Sequence, residues 1–149
     1  MSTLTVNDFP EFFQTIHGHP PFAWQQRLLQ VVLDEGWTHA ISLPTASGKT
    51  AVLDIAVFAL ALEAALPAED RKTPRRIALV VDRRIVVDDA FRRAKRISKA
   101  IQEAKHQMLT QVAEALQSLG GDPTLPLDCA ALRGGIPKET RWARTPLQP

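Results

Sequence analysis

The string Pro44-Thr45-Ala46-Ser47-Gly48-Lys49-Thr50 constrains this chain more than anything else in it. An apolar stretch over 40–43 runs into it, and a long apolar run over 51–66 leads out. Strand, loop and helix form the setting in which Gly-Lys-Thr holds phosphate. Backbone N–H groups of such a loop, from Thr45 through Thr50, converge on the anion, and the helix's unpaired amides and dipole favour negative charge there. Gly48 admits close backbone approach, where a Cβ would intrude. Lys49 is the candidate catalytic cation, reaching β- and γ-phosphates, and the Thr50 hydroxyl is the candidate ligand for Mg²⁺. Thr45, Ser47, Gly48, Lys49 and Thr50 are thus the predicted nucleotide-binding residues of the loop. The general phosphate-loop pattern asks for glycine at position 43, where this chain has Leu43.

At 149 residues the chain fits one ordinary domain, and its apolar content suffices for a core. Asp54 and Glu63 interrupt the longest apolar run, so no membrane span is predicted. No secretory signal opens the chain, and Cys129 stands alone, which excludes a disulfide framework. The cytoplasm is the default location. Net charge is only +2, so a nucleic-acid surface would have to be local. Basic residues gather at 71–76, 83–99 and 138–144.

Periodicity predicts a short helix near 11–16 and an amphipathic helix over 23–35, ended by Gly36. A first strand is expected at 39–43 and a helix over 49–66. A buried strand is expected at 77–82, then a helical stretch over 85–119 with a break near 98–107. Gly120 and Gly121 stop it, and 127–132 is the third strand candidate. Alternating strands and helices imply an α/β fold with a parallel sheet, the nucleotide at the carboxyl ends of its strands.

Three further signals are weaker. Gln25 follows Pro-Phe-Ala-Trp, and a glutamine amide can donate to adenine N7 while accepting from the N6 amine. By itself it also suits a surface position at a helix start. Arg83 and Arg84 end the 77–82 run, where they would meet a nucleic-acid phosphate. Arg92, Lys95, Arg96 and Lys99 continue them at helical spacing, equally consistent with a solvated face. Arg133, Gly134 and Gly135 place a cation and bare amides at a strand end, or form an ordinary turn. His17-Gly18-His19 lacks partners at metal-ligand spacing and reads as structural or incidental.

Pro44 to Thr50 resembles the first motif of superfamily 2 helicases, in which an upstream glutamine, here Gln25, reads adenine. Together with Val81-Asp82-Arg83-Arg84-Ile85-Val86-Val87-Asp88 and Leu132-Arg133-Gly134-Gly135, it resembles the opening of a type I CRISPR-associated helicase-nuclease, of the I-G branch. The resemblance implies a partial RecA-like domain over 23–135, truncated before the Walker B motif, behind an aromatic and proline lead-in over 1–22 and before a tail over 136–149. It implies ATP and Mg²⁺ as cofactors, single-stranded DNA as partner, and a Cascade-type CRISPR effector complex beside the parent protein. The activity implied is ATP-dependent translocation on single-stranded DNA coupled to degradation of invading DNA. The family's D-E-x-[HD] string, which holds Mg²⁺ and activates water, does not occur here. The chain therefore reads as an N-terminal piece of a longer protein. The rival readings are a self-contained P-loop phosphotransferase or ATPase, with Asp82 as its acid, and a non-enzymatic remnant.

Overall fold

The computed structural model describes residues 3–149, which divide after Pro74 into two compact units. Both are helical. No residue among those described is in a β-strand, which corrects the expected α/β fold and its RecA-like parallel sheet.

All three predicted strands are irregular. At 39–43, 77–82 and 127–132 the backbone joins no ladder. Ile41, Ile77, Leu79 and Leu132 are each at least 40% exposed, and Val80 is 89% exposed. The physical reason is that a parallel strand cannot satisfy its own backbone. It needs neighbours on its edges and helices on both faces. A run such as Ile77-Ala78-Leu79-Val80 is compatible with that environment but does not create it. The 127–132 run packs instead as an irregular segment, with the Ser98 hydroxyl donating to the Leu127 carbonyl at 2.6 Å.

The first unit holds three helices: α1 (Phe9–His17), α2 (Ala23–Glu35) and α3 (Val52–Glu63). Pro10 sits at the start of α1, where its missing N–H costs nothing. Phe9, Phe12 and Phe13 lie on one side of α1 and are buried. Their rings meet Phe58 of α3, at 5.5 Å from Phe9 and 5.0 Å from Phe12 between centroids. Phe9, Phe12 and Phe13, from the aromatic stretch before α2, thus belong to the core. Helix α3 has no polar face: every residue from Ile55 to Ala61 is buried.

Basic side chains close the helix ends. The Lys72 ammonium donates to the carbonyls of Leu33 and Asp34 at 2.7 and 2.6 Å, capping α2. Arg71 donates to the Leu66 and Ala64 carbonyls just past α3. Buried Glu63 accepts from the backbone N–H groups of Lys72 and Thr73. A carboxylate holding two backbone donors is compatible with burial in a way that an isolated one is not.

The second unit contains α4 (Arg84–Glu103), α5 (Gln107–Gln117) and the single turn α6 (Arg141–Arg144). The break between α4 and α5 falls at 104–106, inside the window the sequence indicates, with Ala104 in the left-handed region at φ 45°. Residues 145–149 return to the 121–128 segment. The buried Gln148 amide accepts from the Asp122 N–H at 2.7 Å and donates to the Leu125 carbonyl. Gly121 is indispensable there. A Cβ on it would lie 2.9 Å from the Gln148 Cα. No helix among the described residues is long and apolar enough to cross a membrane.

Candidate nucleotide-phosphate site

The 43–50 loop is folded by contacts within the first unit. The Ser47 hydroxyl donates to the Pro44 carbonyl at 2.6 Å, which closes a tight turn. Gly48 follows in the left-handed region, φ 75°, and Lys49–Ala51 makes one 3₁₀ turn into α3. An alanine at 48 would be doubly disfavoured. It would be strained at that φ, and its Cβ would lie 3.0 Å from Gln25 Nε2 and 3.2 Å from the Phe22 ring.

Two donors from the start of α2 hold the loop's carbonyls. Trp24 Nε1 donates to the Ser47 carbonyl at 2.8 Å, and Gln25 Nε2 donates to the Gly48 carbonyl at 3.2 Å. The Ala51 N–H donates to the same Gly48 oxygen at 3.1 Å. Peptide planes here are trans, so each N–H points opposite to the carbonyl of its own plane. Drawing the Ser47 and Gly48 carbonyls toward α2 therefore turns the Gly48 and Lys49 N–H groups away from it. Lys49 and Thr45 are exposed beside them, and Thr50 is half-buried. The result is a short row of outward-facing donors next to an ammonium, at the N-terminal approach to α3. Such an arrangement suits an anion.

Gln25 is placed differently from a free surface glutamine. It is 2% exposed, and its Oε1 accepts from the Phe22 N–H at 2.9 Å while its Nε2 serves the loop. That back-bond to the start of α2 is half of a capping box. An amide has a second lone pair and a second hydrogen, so each atom retains one further bonding direction. Phe22 stands next to it, half exposed.

Behind the loop, His17 Nε2 meets Asp54 Oδ1 at 2.6 Å, with both side chains almost wholly buried. His17 occupies the last turn of α1 and Asp54 the first turn of α3. The pair ties the helix that follows the 43–50 loop to the aromatic core. It is a structural contact that sequence reading missed, because 37 positions separate the partners. The Trp24 bond was also missed. Its signal was available, since a part-buried indole N–H needs an acceptor.

No group of three or more His, Cys, Asp or Glu side chains among the described residues is placed to hold a metal ion. Mg²⁺ keeps several waters and binds largely through nucleotide phosphates. The Thr50 hydroxyl fits that limited demand as a single protein ligand, and the ion would arrive with the phosphates.

The residues expected to touch nucleic acid all lie in the second unit. Arg83 and Arg84 open α4 and are exposed. Two cations at a helix's positive end repel that dipole and make the spot attractive to an anion. Arg133 is engaged: its Nε donates to Asp88 Oδ1 at 2.8 Å and its Nη1 to the Gly134 carbonyl at 3.2 Å. Gly134 and Gly135 are exposed in a turn. On α4, Arg92 pairs with Asp89, and Lys99 lies 3.8 Å from Glu103. Lys95 lies over the Phe91 ring, 5.4 Å from its centroid. The stripe is thus partly neutralised along its own helix. Burial pushes the Cys129 thiol up, which favours its protonated form.

Comparison with family models, with curated proteins and with solved structures finds no match to this chain.

Proposed function

We propose that the chain binds ATP, with the phosphates at the 43–50 loop. The observation that carries this reading is the pair of bonds from Trp24 and Gln25, which hold two successive loop carbonyls and leave the Gly48 and Lys49 N–H groups facing away beside an exposed ammonium. Lys49 neutralises the β- and γ-phosphates, Thr50 supports Mg²⁺, and Thr45 and Ser47 shape the approach. In this reading the Gln25 side chain, 2% exposed, is uncovered on binding, so that its second N–H and second lone pair meet adenine N7 and N6. Half-exposed Phe22 offers a stacking surface next to it.

Titration with ATP and GTP tests the base reading. ATP is expected to bind more tightly. Gln25→Ala is expected to weaken both nucleotides through the loop and also to erase most of their difference, a bidentate adenine contact being worth ~1–3 kcal/mol. An ATP-to-GTP ratio unchanged by the substitution would leave Gln25 as a loop-holding residue only.

The wider reading is an ATP-dependent helicase-nuclease acting on single-stranded DNA with a CRISPR effector complex. It rests on the three residue strings and not on the architecture. Under it, Arg83 and Arg84 are the phosphate contacts, with Arg133 released from Asp88 on binding. This chain is expected to show no ATP turnover above background, with or without single-stranded DNA. It contains no D-E-x-[HD] string to activate water, and such groups account for several powers of ten in rate. DNA-stimulated turnover of about 1 s⁻¹, an ordinary enzymatic rate, would move the assignment to a self-contained ATPase or phosphotransferase.

A further inference from the structure

We infer that Trp24 is a positioning residue for the phosphates, acting through the Ser47–Gly48 peptide. This rests on the phosphate-loop reading above and extends it to a residue that contacts no ligand.

The argument starts from the bond itself. Trp24 Nε1 donates to the Ser47 carbonyl at 2.8 Å across 23 positions of sequence. A peptide unit is rigid and planar, so fixing its carbonyl fixes its N–H. The N–H in that plane belongs to Gly48. Glycine is also the residue least able to hold its own conformation, since it rotates with little steric resistance. At φ 75° and ψ 34°, Gly48 gains nothing from a side chain of its own. An external hold on the preceding carbonyl supplies what the glycine lacks. Gln25 performs the same office one peptide later, on the Gly48 carbonyl, but it also caps α2. Trp24's indole N–H is a single donor and is committed to the loop.

A second consequence is electronic. When an anion accepts from the Gly48 N–H, the peptide polarises and its carbonyl becomes a better acceptor for the indole. Anion binding and the Trp24 bond therefore strengthen one another. Without the indole N–H the Ser47 carbonyl is part-buried and unsatisfied, and the plane is free to turn.

The test uses inorganic tripolyphosphate as probe, because it has no base. The variant is Trp24→Phe, which keeps an aromatic ring and removes the N–H. In the full chain, wild type is expected to bind tripolyphosphate in a Lys49-dependent way, with the Gly48 amide resonance moving downfield. In Trp24→Phe, affinity for tripolyphosphate, ATP and GTP is expected to fall by the same factor, about five- to tenfold, with the Gly48 displacement lost. A purely structural role would lower the thermal midpoint but leave the Gly48 displacement intact in the folded fraction. Wild-type affinity and displacement in the variant would overturn the inference while leaving the loop reading in place. Absence of Lys49-dependent binding in wild type would overturn both. If the variant does not fold, the wild-type indole resonance of Trp24 decides. It is expected to move downfield on adding tripolyphosphate, and a stationary signal at saturation overturns the inference.

Discussion

Alanine in place of Lys49 is expected to abolish measurable affinity for a non-hydrolysable ATP analogue. The ammonium is exposed beside the Gly48 and Lys49 N–H groups, where β- and γ-phosphates would lie. Hydrogen bonds to charged groups contribute ~1.5–3 kcal/mol each. Loss of contacts to two phosphates therefore raises the Kd by more than about 100-fold. The substitution should leave the fold intact, because an exposed side chain away from caps and pairs changes stability by only about 0.5 kcal/mol. Isothermal titration of wild type and variant reads the affinity, and circular dichroism checks the fold. Equal affinities would remove the phosphate-loop reading altogether, and with it the roles assigned to Thr50 and Gln25.

Phe58→Ala is expected to be the most destabilising single change in the first unit, by ~3–5 kcal/mol. Phe58 is fully buried on α3, and its ring meets both Phe9 and Phe12. Truncation leaves a cavity that three facing helices cannot easily close, and it also removes aromatic pairs worth ~0.5–1.5 kcal/mol beyond their buried area. Trp24 and Trp37 belong to this unit and Trp142 to the other, so urea unfolding followed by tryptophan emission in a Trp142→Phe background reports on it directly. A shift below about 1 kcal/mol would mean that α1 does not dock on α3 as described. The loss should also reach the candidate site, because α3 follows the 43–50 loop and carries Asp54, the partner of His17.

Much of the local structure was legible. Trp24, Leu28, Leu29 and Val32 repeat with helical spacing, and Gly36 follows at φ 92°, so the bounds of α2 read directly from the residues. The break between α4 and α5 was legible as well. A helical pattern of such length without a glycine or proline invites an interruption, although the Ala104 turn that makes it carries no sequence signal. The 44–50 string stood out as a candidate because a glycine and a lysine would act through their own backbone and charge. What holds the string was not. Trp24 and Gln25 looked like a helix start, and only their meeting with Ser47 and Gly48 shows that they also fix two peptide planes.

The sequence by itself determined the bounds of α2, which of its positions are apolar, and that a glycine and a lysine stand together before α3. These are properties of neighbouring residues, governed by backbone sterics and side-chain period. Tertiary structure alone decided that Ile77-Ala78-Leu79-Val80 would lie exposed and unpaired, that the chain would divide after Pro74, and that His17 would meet Asp54. Each of those outcomes depends on a partner distant in sequence. Strand pairing, core membership and buried polar contacts are rewarded only when that partner arrives, and nothing within a short stretch of chain specifies whether it does.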